Sequence, residues 1–200
     1  MKKIIPIIRL ASKFATVLRT TGYREGHLEN DAEHSYQLAL VCWNANEQYN
    51  LSFQDELILK FALVHDLVES YAGDTDAHDT QEALASKKDR EIEAFQMLKI
   101  EYKQFEDMIH TIERYERKND PEAQLVYLMD KLIPDVNVHF GRGDYYHSRK
   151  INLADWKKWL LRKINRESLH PKLIALLDES IREIETNFKD TFYQEKRDTK

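Results

Sequence analysis

The chain has 200 residues, 42% of them hydrophobic and 32% charged, which suits a globular protein with its own core and excludes a disordered chain. Its net charge of −5, with Lys and Arg interleaved among Asp and Glu, offers no basic stripe for nucleic acid. Five glycines and four prolines are too few for a protein built on tight sheet turns, so long helices are expected.

The first predicted helix covers residues 4 to 18, with Ile7, Leu10, Phe14 and Leu18 at helical spacing. The apolar part of MKKIIPIIRLASKF is short and is interrupted by Pro6 and Arg9, so it is read as a helix and not as a signal peptide. No stretch approaches the ~18 apolar residues of a membrane span, and a cytoplasmic protein with no membrane association is expected. The segment TTGYREGHLEN, with Gly22 and Gly26, reads as a loop. Asp31 is the expected N-cap of a helix over residues 32 to 49, in which Leu38, Val41 and Ala45 face inward and Trp43 lies at an edge. The one cysteine, Cys42, lies in the apolar run LALVCWNA and is expected to be a small buried side chain; alone, it forms neither an internal disulfide nor a Cys-based zinc site.

Ser52 is the expected cap of a third helix over residues 53 to 71, with Asp55 and Glu56 in its first turn and Gly73 ending it. A polar loop, GDTDAHDTQEA, separates it from charged helices over residues 81 to 100 and 104 to 117. In KNDP, Asp120 caps and Pro121 opens a helix reaching residue 140. GRGDYYHSRK reads as a loop, helices follow over residues 153 to 165 and 171 to 189, and residues 191 to 200 are expected to fray. The organisation expected is a single all-α domain over residues 1 to 190.

The third helix raises a question of chemistry. After the apolar run LILKFALV come His65 and Asp66 together, then Glu69 and Asp74. A divalent first-row metal ion favours imidazole and carboxylate ligands. His65 and Asp66 project about 100° apart on a helix and can meet one ion lying between those directions. Glu69 follows them by four and three residues and overhangs the same flank, within reach of a water beside the ion. Two ligands make a poor site. His34, in AEHSYQLALV, and Asp130, in LVYLMDKLI, offer a second imidazole and a second carboxylate from other helices in apolar settings. A carboxylate in such a setting must be paired, hydrogen-bonded or bound to metal.

These stretches resemble the HD-domain metal-dependent phosphohydrolases, and more narrowly their 5'-deoxynucleotidase branch. The resemblance is carried by LRTTGY, DAEHSY, ALVHDLVESYAGD and YLMDKL, with HPKLIALLDE the least specific, and it covers most of the chain. It implies an all-helical bundle around one metal ion. Position by position, it implies His34, His65, Asp66 and Asp130 as ligands of a divalent Mn, Co, Fe, Ni or Zn ion, Glu69 as the group that orients or deprotonates the attacking water, Asp74 against the sugar or the leaving oxygen, and Arg19 on the phosphate. It further implies a small nucleotide substrate and a homodimer, for which the aromatics of GDYYHSRKINLADWKKWLL offer a surface.

One departure is visible. Thr20 stands where some bacterial members carry an aromatic residue against the sugar, with Tyr23 the nearest substitute, which leaves selection of deoxyribose over ribose open. Asp76 and His78 are expected to be solvated, as are Glu113 and Glu116 in IERYERKND. His27, His110, His139, His147 and His170 are placed outside the site. Three activities fit this pattern: a nucleotide monophosphatase, another HD-type hydrolase acting on a diester, an alarmone or a nucleoside triphosphate, and a non-catalytic helical module stapled by metal.

Overall fold

A computed structural model describes residues 1–21, 27–76 and 79–195. The expectations for Gly22, Tyr23, Gly26, His78 and the last five residues lie outside the described residues. The protein is all-α, 70% helical. No helix among the described residues is long and apolar enough to cross a membrane. The chain divides into two compact units, Met1–Thr20 with Leu28–Val126, and Thr21–His27 with Tyr127–Lys200.

In the first unit, α1 (Ile5–Phe14) has Pro6 in its first turn and buries Leu10 and Phe14. It ends four residues earlier than its periodicity suggests. Thr16 Oγ1 donates to Lys13 O at 2.7 Å, and the chain then extends. Arg19 N donates to Glu29 O at 2.8 Å, and Asp31 N donates to Val17 O at 3.1 Å. Leu18 forms an isolated antiparallel bridge with Asn30 and is 59% exposed, not inward-facing. Two backbone hydrogen bonds to a neighbouring segment, reached through a β-branched Thr-Val pair, outweigh another helical turn here.

Helix α2 (Asp31–Gln48) is capped by Asn30 and not by Asp31. Asn30 Oδ1 accepts from Ala32 N and Glu33 N, each at 3.0 Å, and Glu33 Oε2 accepts from Asn30 N at 3.1 Å. This capping box releases Asp31 from the capping role, and its side chain is fully buried. Leu38, Cys42 and Ala45 are buried as expected, whereas Val41 is only half-buried.

The third expected helix is two helices, α3 (Asp55–Val64) and α4 (Glu69–Ala72). Ser52 is not the cap, because it takes φ +59° and Gln54 precedes the first turn. Between α3 and α4 the hydrogen bonds tighten to i→i+3: Leu67 N donates to Val64 O at 3.1 Å and Glu69 N to Asp66 O at 2.8 Å. At three residues per turn, side chains at i and i+3 eclipse, so Asp66 and Glu69 share one face of the turn. Gly73, at φ +74°, ends α4 as expected.

Helix α5 (Gln81–Glu101) begins at Thr80, whose Oγ1 accepts from Ala83 N at 3.2 Å, and α6 is Glu106–Arg117. Leu10, Phe14, Leu67, Leu98, Met108 and Ile112 meet in the core of this unit. Glu113 and Glu116 pair with Lys99 and Lys118 at 2.5 and 3.6 Å, so they are surface ion-pair members.

Helix α7 (Pro121–Phe140) has the expected limits, and along it the chain passes from the first unit to the second. In the second unit, GRGDYYHSRK is not all loop. It contains α8 (Asp144–Arg149), which buries Tyr146. Helices α9 (Leu153–Lys163) and α10 (Pro171–Asn187) follow, with a short 3-10 turn at Lys189–Thr191. Phe192 lies within the span expected to fray, yet it is 2% exposed and stacks on Tyr146 at 4.8 Å and 21°. Tyr146 and Trp156 are buried, which removes both from the exposed aromatic surface expected for a dimer.

Asp135 is the buried polar anchor of this unit. Its carboxylate accepts from Tyr146 Oη and from Trp156 Nε1, the latter at 2.7 Å. Burial pushes its pKa up to about 7 against these two bonds. A raised folded-state pKa gives stability that is fully present below the unfolded value near 3.8 and is lost as pH rises through 7. Thermal unfolding between pH 4 and 8 should therefore show a decline on the order of a few kcal/mol that is flattened in Asp135→Asn. An identical pH slope in the two proteins would show that Asp135 is ionised throughout.

Candidate metal centre

Two imidazoles anchor the centre, both in the first unit. His34 lies one turn into α2, fully buried, and its Nδ1 is 3.4 Å from Glu29 Oε2. A carboxylate beside Nδ1 favours the tautomer that leaves Nε2 with its lone pair. His65 closes α3, 3% exposed, and its Nδ1 donates to Ala62 O at 2.9 Å. Because a carbonyl can only accept, this bond fixes the proton on Nδ1 and leaves Nε2 as the ring atom that could take a metal ion. That Nε2 lies 3.0 Å from Asp66 Oδ2. The two rings are 5.4 Å apart, and each offers a ligand nitrogen within 4.8 Å of the other's. Tyr115 sets its edge against His65 at 6.3 Å, closing one side with an aromatic wall.

Carboxyl groups gather around this pair. Glu29 and Asp31 are fully buried, Glu69 is 2% exposed, and Asp66 and Asp74 are half-buried. Arg19 enters the cluster, with Nη1 at 3.0 Å from Asp66 Oδ2 and 3.3 Å from Asp31 Oδ1, and Nε at 3.5 Å from Glu29 Oε2. Lys87 of α5 holds Glu69 Oε1 at 3.2 Å. Five carboxyl groups thus surround two cations. Burial, then the charge of Asp66, push Asp31 up to about 7 although Arg19 opposes the shift. Burial and Asp66 likewise push Glu69 up to about 10, with Lys87 opposing. Asp74 is also raised, chiefly by burial.

This donor set fits a divalent ion. It combines two buried imidazoles, that of His65 with its tautomer set by a backbone carbonyl, an adjacent carboxylate and an excess of acidic groups. A cation beside Asp66 would cancel much of the repulsion and favour the ionised forms of Glu69 and Asp31.

The structure therefore brings His34, His65, Asp66, Glu69, Asp74 and Arg19 into one cluster. Asp130 lies on α7 in the second unit, 4% exposed, with Oδ2 at 2.5 Å from Lys131 Nζ. Asp76, expected to be solvated, is buried. Sequence reasoning missed Glu29, Asp31 and Lys87. Asp31 was hidden by its plausible capping role, Glu29 by its loop setting, and Lys87 by the charged face of a long helix. The signal that could have found Asp31 is the adjacent Asn30 with Glu33 three residues on, a better capping box.

The HD domain family model matches residues 11–173. The chain is 28% identical over 138 residues to the 5'-deoxynucleotidase hdd1 of Schizosaccharomyces pombe, covering 64% of this chain and 67% of that protein. Among solved structures, the "predicted metal-dependent phosphohydrolase" of Magnetospirillum magnetotacticum MS-1 superimposes with a TM-score of 0.77 at 25% identity, covering 96% of this chain and 95% of the other. The PH0347 protein of Pyrococcus horikoshii OT3 gives a TM-score of 0.60 at 26% identity, covering 88% and 96%. The chain belongs to the HD-domain family. It is a metal-dependent phosphohydrolase of HD type, with a His/Asp cluster that could hold the ion.

Proposed function

We propose that the protein hydrolyses nucleoside 5'-monophosphates, deoxyribose forms included, to nucleoside and inorganic phosphate. The observation that carries this reading is the adjacency of Glu69, Asp74 and Arg19 to the His65–Asp66 pair, since a purely structural metal site has no use for an acid–base neighbour or a guanidinium beside its ligands. The 5'-deoxynucleotidase among its relatives supports the same substrate class.

In this reading His34, His65, Asp66 and Asp130 hold one divalent ion (Mn, Co, Fe, Ni or Zn). When bound, such an ion acidifies water and polarises a phosphoryl oxygen. Glu69 takes the proton of the attacking water. Arg19 turns its planar fork to the phosphate oxygens, where charge builds in the transition state. Asp74 meets the sugar or the leaving oxygen. The net charge of −5 favours a small substrate over a nucleic acid. A homodimer in the cytoplasm is the setting proposed.

The test is a substrate panel. Protein loaded with each of these ions is incubated with nucleoside 5'-monophosphates, cyclic dinucleotides and guanosine tetraphosphate, and products are resolved by chromatography. Release of phosphate from the monophosphates alone is expected. Turnover confined to the diester or the tetraphosphate, or no turnover by metal-loaded protein, overturns the reading.

A further inference from the structure

Helix α4 is a single turn of four residues between a tightened turn and Gly73 at φ +74°. Helix nucleation is unfavourable, and one turn has no stability of its own. Yet this segment carries Glu69, and Asp74 follows it after Gly73. Something outside must hold it, and α5 does so through two side chains three residues apart on one helical face.

Lys87 Nζ lies 3.2 Å from Glu69 Oε1 and 3.4 Å from Glu91 Oε1 on its own helix, so its ammonium is braced between two carboxylates. Arg90 Nη2 donates to Thr75 Oγ1 at 2.6 Å, and its Nη1 donates to Ser86 Oγ. Ser86 is in turn tied back to Ala83 O at 3.1 Å, which fixes the guanidinium in place. Thr75 is buried and adjacent to Asp74. Two contacts from one helix therefore clamp both ends of the segment 69–75.

We propose that Lys87 and Arg90 are positioning residues for the hydrolysis, Lys87 fixing the carboxyl group of Glu69 and Arg90 fixing Thr75 and with it the neighbouring Asp74. The inference rests on the hydrolytic reading given above. Lys87 holds Glu69 and Glu91, and Arg90 holds Thr75 and Ser86, so removing either should leave His34, His65 and Asp66 in place. Lys87 is spent on two carboxylates and acts through Glu69, not on the substrate.

The experiment compares Lys87→Met, Lys87→Arg and Arg90→Leu with the native protein by three readouts: metal content, amide hydrogen exchange of residues 69–75, and kcat with KM on the best monophosphate substrate. Lys87→Met and Arg90→Leu should exchange faster across residues 69–75 while binding as much metal as the native protein. In both, kcat should fall by up to about 10²-fold with KM within about twofold, the scale expected when a reacting group is displaced by about 1 Å. Lys87→Arg, which keeps the charge and the reach, should recover most of kcat. Unchanged exchange in both variants overturns the inference, and so does a rise in KM at native kcat in Lys87→Met, which would place the ammonium on the substrate. Faster exchange in the variants of a native protein that turns over nothing would leave the clamp standing and remove only the hydrolytic reading.

Discussion

Glu69→Gln should lower kcat by about 10²- to 10⁴-fold while the protein keeps its full complement of metal. The argument is geometric. Glu69 is 2% exposed, it shares a face of the 66–69 turn with Asp66, and Lys87 orients one of its oxygens at 3.2 Å. In the proposed reaction it accepts a proton from water near the ion without being a ligand itself. Gln keeps the shape and loses the basicity. In the metal-free protein the substitution should also leave the fold at least as stable. Glu69 has a folded-state pKa raised to about 10, so its contribution to stability is present below its unfolded value of 4.5 and is lost as pH rises toward 10. A neutral amide removes that penalty at pH 7. Kinetics, elemental analysis and a melting curve on one preparation decide the matter. Loss of the ion would make Glu69 a ligand, and native kcat would remove it from the chemistry.

The second large effect is expected at Arg19. Its side chain is 12% exposed, and its guanidinium lies among Glu29, Asp31 and Asp66 at 3.5, 3.3 and 3.0 Å. Removing one partner from a buried ionic cluster leaves the other charges uncompensated, at a cost of about 3–5 kcal/mol. Arg19→Met should therefore unfold at clearly lower denaturant at pH 7, beyond any loss of substrate binding. The defect should shrink at pH 5. Asp31 has a folded-state pKa raised to about 7, so below that pH it carries a proton and no longer needs the cation. Arg19→Lys should recover part of the stability but little of the activity, because an ammonium cannot reproduce the planar fork. Native stability in Arg19→Met, with only KM raised, would show that the guanidinium serves the substrate alone.

Much of this centre could be read in the sequence, and the reasons differ from part to part. His65 and Asp66 stood out because two ionisable groups close an otherwise apolar run, and the burial of His65 follows from that run. The ends of α7 were legible because Asp120 and Pro121 fix a start by local chemistry. The break between α3 and α4 was not legible. Apolar spacing continues through Leu67 and Val68, and nothing local announces the i→i+3 bonds that tighten the turn. Leu18 failed for a similar reason: its helical spacing was real, but the backbone found partners at residues 29 to 31. Helix α8 depends on Tyr146 reaching Asp135, a contact across 11 residues that composition cannot reveal. Lys87 shows the same limit at the site. Within a run of charged residues, only the fold distinguishes the lysine that holds a buried carboxylate from its exposed neighbours.

The most direct test is to count metal. Protein stripped with chelator and re-equilibrated with a limiting mixture of Mn, Co, Fe, Ni and Zn should retain one divalent ion per chain after gel filtration. His34→Ala, His65→Ala, Asp66→Ala and Asp130→Ala should each retain far less while still folding by circular dichroism. Native protein that keeps no ion, or variants that keep it as well as the native chain does, would contradict a mononuclear centre built from those four side chains.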